Sequence, residues 1–142
     1  MDGLDALENG AGARLFVYGT LRNGFRSHGM LQRFRPRFLG AGHVQGRLYS
    51  LGEYPGASEG AGDKGRVQGE LYWLPRAEAA FRVLDRFEGF DPEHPELNEF
   101  TRKETTVTMA GGGEMRAWVY WLSRIHASGR RILSGNYALY RK

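Results

Sequence analysis

The chain contains no cysteine. Disulfides, thiol nucleophiles and thiolate metal centres are therefore excluded. Histidine is scarce: His28, His43, His94 and His126 are scattered, with no pair at ligand spacing, so no metal site is expected. No apolar run approaches the ~18 residues of a membrane span. The acidic opening MDGLDALENGAGA lacks the apolar centre of a signal peptide. There is no Walker pattern and no GxGxxG, so a nucleotide site is not supported. These absences leave a cytoplasmic protein with no metal, no cofactor and no membrane partner as the expectation.

Glycine, by contrast, is abundant: 21 of 142 residues, about twice the usual share. With 13% aromatic residues, that points to short strands, many turns and close backbone approaches. The length suits one domain with a real core. The reading is a flexible lead over 1–13 and a single domain over 14–142. The net charge of +4 is modest. Arg22, Arg26, Arg33, Arg35 and Arg37 crowd one segment, which reads first as a solvated face. A nucleic-acid patch would be better supported by a known reading motif, and none is found. Attraction of a small anionic substrate is a third use of the same charges.

Along the chain, Arg14 to Tyr18 reads as a short strand of β-branched and aromatic residues ended by Gly19. The following Thr20-Leu21-Arg22-Asn23-Gly24 is either a plain turn or a glycine loop presenting backbone N–H groups to an anion. His28 to Phe34 makes a short helix with Met30, Leu31 and Phe34 on its apolar side, stopped by Pro36. Residues 38–50 read as a strand bent at its glycines. Residues 51–65 read as a long loop with Tyr54-Pro55 as its rigid feature and a mobile glycine-rich tip over 60–65. Arg66 to Leu74 is a clear strand. Residues 91–99 form an exposed acidic loop, and 101–109 with 115–122 form a hairpin across AGGGE. The tail is expected along an edge strand. The resulting order is β, short α, β, β, α, β, β. It predicts an α+β fold: a small mixed, mostly antiparallel barrel-like sheet with flanking helices.

The most informative stretch is Phe81 to Phe90. Leu74-Pro75 leads into a helix and Gly89 supplies its stop. Ala77, Ala80, Phe81, Leu84 and Phe87 recur three and four apart, the period of one buried face. At roughly 100° per residue, Glu88 falls within that apolar stripe. A carboxyl there has its pKa raised by desolvation, which suits a group that takes and returns protons near neutral pH. The competing reading makes Glu88 a helix-end residue that turns to solvent or is buried against Arg102.

Four segments in order resemble the γ-glutamylcyclotransferase-like (AIG2-like) family: VYGTLRNG (17–24), GRLYSLGEYPGA (46–57), VQGELYWL (67–74), and LDRFEGF followed by FTRKETTV (84–90, 100–107). The resemblance implies a small mixed barrel. It also implies cleavage of γ-glutamyl amides without water: the substrate's α-amine attacks its own γ-carbonyl, giving 5-oxoproline and a free amine. On this reading Glu88 is general base and then general acid. Backbone N–H groups around Gly19, Thr20 and Leu21 hold the α-carboxylate or oxyanion, Tyr18 walls the cavity, and Tyr54-Pro55 lines its mouth. Arg102 is a structural partner. The partner implied is a small γ-glutamyl molecule, not nucleic acid, and the protein would be a monomer or homodimer. Phe100 replaces a tyrosine common in the family, and Tyr137 stands where tryptophan is expected. The alternatives are a non-catalytic small-ligand binding module on the same fold and a polyanion-binding protein using the arginine-rich surface.

Overall fold

The structure is a computed structural model describing residues 12–60, 64–124 and 129–140. The lead predicted over 1–13 falls outside the described residues except for its last two, as do 61–63 of the glycine-rich tip. The elements are β1 (Ala13–Val17), α1 (His28–Gln32), β2 (Arg37–Ser50), β3 (Pro55–Glu59), β4 (Arg66–Leu74), α2 (Ala77–Phe87), β5 (Phe100–Met109), β6 (Glu114–Leu122), β7 (Arg130–Arg131) and α3 (Tyr137–Tyr140). A 3-10 turn at Pro95–Leu97 precedes β5.

Five strands close on themselves in the order β2-β4-β1-β6-β5, with β5 returning to β2 at Gly42↔Met109 and His43↔Thr108. Neighbours are antiparallel except β1 and β6, which run parallel at Leu15↔Trp118. The α+β barrel with few helices is as predicted. β2 is the bent strand: its register on β4 shifts between Phe38 and Gly40. Its last five residues leave β4 and pair with β3 instead.

β1 shows how the core divides. Alternate side chains of a strand point to opposite faces. Phe16, and Tyr18 beyond it, join Val44, Val67, Leu71, Val107, Val119 and Trp121 in the cluster that fills the barrel. Leu15 and Val17 join Leu31, Ala80, Phe81 and Leu84 beneath the helices. β1 is thus buried on both faces, which is why it reads as a continuous apolar run.

Several expectations need correction. Residues 51–65 are not one loop, because Pro55–Glu59 is a strand on the end of β2. PGASE has little strand propensity of its own. Proline is admissible as the first residue of a strand, and Gly56 lies so close to β6 that a Cβ there would be 2.5 Å from Leu122. Tertiary pairing therefore overrides local preference. Phe87, expected on the buried face of α2, is 44% exposed; the stripe ends one turn earlier, at Leu84. Pro75 lies just outside α2, whose first residue is Ala77. Arg22 does not belong to a solvated face: Nη1 donates to Asn136 Oδ1 at 3.0 Å, and its guanidinium lies beside Glu70. The tail pairs on β2 through β7. It then sends Ile132 and Tyr137 into the core.

Candidate active site

α2 ends in a Schellman turn, which sets the position of Glu88. The Phe90 N–H donates to Asp85 O at 2.8 Å and the Gly89 N–H to Arg86 O at 3.2 Å. Gly89 has φ +70°, the left-handed conformation this turn requires. Glu88 is the last right-handed residue before it. Its half-buried side chain lines a cavity of about 240 Å³.

The opposite wall follows β1. Tyr18, Gly19, Thr20 and Leu21 all line the cavity and are all buried. The loop is folded by Arg22 N–H to Gly19 O at 3.0 Å and Ser27 N–H to Thr20 O at 3.1 Å. The N–H groups of Gly19, Thr20 and Leu21 donate to no acceptor among the described residues. A buried N–H without an acceptor is costly, so three together beside a cavity suit an anionic ligand oxygen. Pro55 packs on Gly19, where a Cβ would be 2.7 Å from its Cγ. The Tyr18 hydroxyl donates to Tyr120 O at 2.7 Å and accepts the Ala57 N–H at 3.1 Å. It ties β1 to β6 and β3, and burial holds its pKa far above the usual phenol value.

The two readings of Glu88 can now be compared. Arg102 does not face it: its guanidinium makes a two-pronged pair with Asp85 at 2.8 and 3.0 Å. The same group lies over the rings of Phe81, Trp118 and Phe90. Tyr120 completes the cluster by donating to Asp85 Oδ1 at 2.7 Å. Arg102 thus braces α2 against β5. The Glu88 carboxyl makes no hydrogen bond or ion pair among the described residues. Its pKa is pushed up to about 8, first by burial, then by the negative charges of Glu99 and Asp85. An unpaired carboxyl of this kind exchanges a proton near neutral pH.

The cavity therefore brings together all the residues singled out in the sequence: Glu88, Tyr18, Gly19, Thr20, Leu21, Tyr54 and Pro55. It also includes residues the sequence reading missed. Glu99, assigned to an exposed loop, is half-buried in the wall, and the Tyr54 hydroxyl donates to its Oε2. Asn98 beside it is buried and accepts the Asp91 N–H at 2.8 Å. The loop 91–99 leaves from Gly89 and returns beside it, with Glu99 N–H donating to Gly89 O at 3.2 Å. No local sequence signal marks Glu99, because the return of that loop beside Gly89 is set by the assembled fold. Arg26, Ser27, Phe87 and Tyr120 also line the cavity. Of the two departures from the family pattern, Phe100 is in the wall. Tyr137 lies behind the site, tilted on Phe25 at a ring separation of 5.4 Å.

Among the described residues no helix is long and apolar enough to cross a membrane. The chain is an α+β protein built on a small closed mixed barrel, with a carboxylate-lined cavity where β1 ends. It belongs to the γ-glutamyl cyclotransferase, AIG2-like family, whose model matches residues 15–139. It is 34% identical over 125 residues to the "Putative gamma-glutamylcyclotransferase" of Vibrio cholerae, covering 87% of this chain and 93% of that one. It resembles the structure of an AIG2-like protein of Mus musculus with a TM-score of 0.66 at 28% identity, over 82% of this chain and 80% of that one. Protein ytfP of Escherichia coli is similar with a TM-score of 0.60 at 29% identity, over 91% and 99%.

Proposed function

We propose that this protein is a γ-glutamylcyclotransferase: it converts a small γ-glutamyl amide into 5-oxoproline and a free amine, with Glu88 carrying the proton. The observation that carries the reading is the Glu88 carboxyl, with a pKa near 8, in the same small cavity as three backbone N–H groups, none of these groups having a partner among the described residues.

The chemistry follows from those groups. The γ-glutamyl substrate brings its own nucleophile, so no activated serine or thiol is required. Glu88 takes a proton from the α-ammonium. The amine nitrogen then forms a bond to the γ-carbonyl carbon, closing a five-membered ring. The N–H groups of Gly19, Thr20 and Leu21 hold the α-carboxylate or the developing oxyanion. As the bond to the leaving nitrogen breaks, Glu88 returns the proton to that nitrogen, and the second proton that the ring nitrogen sheds on becoming an amide passes by the same carboxylate to the released amine, which leaves as an ammonium. Ring closure is intramolecular, so positioning supplies much of the rate. Tyr18, Tyr54 and Pro55 shape the cavity around the glutamyl half. The reaction needs neither a cofactor nor water.

The test is the fate of solvent oxygen. With γ-glutamyl dipeptides, γ-glutamyl-lysine and glutathione in ¹⁸O-water, the expected product is 5-oxoproline without label. Labelled glutamate would mean that water is the nucleophile. Tight binding of these compounds without any product would make the protein a binding module.

A further inference from the structure

Glu99 is the second carboxylate of the cavity. We propose that Glu99 is the ammonium-binding residue of the site: it receives the α-ammonium of the γ-glutamyl substrate and presents that nitrogen to Glu88. The assignment deepens the cyclotransferase reading and rests on it.

Geometry carries the argument. Glu99 is fixed at both backbone groups: its N–H donates to Gly89 O at 3.2 Å, and its carbonyl accepts the Ser123 N–H at 2.9 Å. The first bond ties it to the residue after Glu88, so the two carboxylates belong to one rigid corner. The Tyr54 hydroxyl donates to Glu99 Oε2, while Oε1 has no hydrogen-bond partner among the described residues. Among those residues neither glutamate forms an ion pair with a protein cation. Arg26, which lines the cavity, and Arg102, on the strand after Glu99, are committed elsewhere: Arg102 is paired with Asp85, and Arg26 Nη2 donates to Glu53 O at 2.7 Å. A half-buried pair of carboxylates without a cation favours a ligand that brings one. The same cavity is lined by Gly19, Thr20 and Leu21, whose N–H groups donate to no acceptor among the described residues. Together they fit a molecule bearing an ammonium and a carboxylate on neighbouring atoms.

The placement does not obstruct the proton transfer. The proton leaves the substrate nitrogen and bonds to a Glu88 oxygen, and the nitrogen keeps its electron pair for the γ-carbonyl carbon. Glu99 attracts the proton in both positions, so its charge largely cancels between them. The groups around Glu88 are Glu99 before β5, Asp85 on its own helix, and the hydroxyls of Tyr18, Tyr54 and Tyr120.

The experiment separates this proposal from the reading it rests on. Glu88→Gln is the background for the measurement, because its side chain cannot carry the proton and no turnover is expected. In it, L-glutamine is compared by calorimetry with glutaramate, the same molecule without the α-amino group. The expected result is about tenfold or tighter binding of L-glutamine, with the preference lost in Glu88→Gln/Glu99→Gln. Equal binding of the two ligands by Glu88→Gln, or an unchanged preference in the double variant, overturns the proposal. With Glu88 intact, Glu99→Gln should raise KM about tenfold and move the acid limb of kcat/KM to lower pH, because one anion facing Glu88 is gone. That shift reports only the charge of Glu99 beside Glu88; the readout that a purely structural role would not move is the preference for L-glutamine over glutaramate. A penalty confined to substrates with cationic leaving amines would assign Glu99 to the leaving group and overturn the α-ammonium assignment. Absence of 5-oxoproline from the wild type would count against the cyclotransferase reading alone, and the calorimetry then decides the ammonium site by itself.

Discussion

At the residue scale, Glu88 is unfavourable for the fold under the conditions in which we propose it works. In the unfolded chain its carboxyl ionises near the ordinary 4.5, and in the fold near 8. Between those values the native state holds a proton that the unfolded chain has lost. Wild-type stability from this group therefore falls as pH rises through that window, and the loss is complete above about 8. Glutamine is neutral throughout. The advantage of Glu88→Gln over wild type should thus be small near pH 4.5 and grow on the order of 2 kcal/mol by pH 9, allowing for water that reaches the carboxyl through the cavity. Urea unfolding at both pH values measures it. A difference that does not change with pH would mean that Glu88 titrates normally. A site that gains stability on losing its functional group is what the trade-off between activity and stability leads one to expect.

At the scale of the element, α2 matters less for its length than for how it stops. The Schellman turn at Gly89 fixes Glu88, and the Glu99 N–H is bonded to that turn's carbonyl. A Cβ at Gly89 would meet only Glu99 Cβ, at 3.6 Å, so the cost of substitution is backbone strain and not collision. Gly89→Ala should cost about 1 kcal/mol, or about 3 °C in Tm. Gly89→Asn should cost less, because asparagine tolerates positive φ. Thermal melts of the two variants rank them, and a larger loss for asparagine would place the cost elsewhere. This turn was legible in the sequence: Leu84, Phe81, Ala80 and Ala77 mark the stripe, and glycine marks the stop. Phe87 was misread because periodicity continues to the last turn of a helix even where no neighbour covers it. Its side chain sits at the cavity instead.

At the scale of the molecule, the barrel and cavity depend on contacts between distant parts of the chain. Local signals sufficed for β1, β4, β5 and β6, whose aromatic and β-branched residues need no context. They failed for β3, which is a strand only because β2 offers it an edge and β6 lies against Gly56. They failed again for Glu99, whose place is set by closure of the loop from Gly89 and by Tyr54 across the cavity. The tail was legible as an edge segment, but not as the donor of β7 or of Ile132 and Tyr137 to the core. Sequence patterns thus pointed to Glu88 and to the loop from Gly19 to Leu21, which line the cavity, while the second carboxylate required the assembled fold.

The central claim is that Glu88 moves the proton in an intramolecular cyclisation. It is tested most directly by kcat/KM for 5-oxoproline release from a γ-glutamyl substrate, in wild type and Glu88→Gln, from about pH 6 to about pH 9. The expected wild-type profile falls about tenfold per pH unit below about 8, as the proton on Glu88 must leave before the α-ammonium can give up its own. Glu88→Gln should stay folded and release no 5-oxoproline at any pH. A variant with wild-type turnover, or a wild-type rate that does not change across this range, would contradict the assignment.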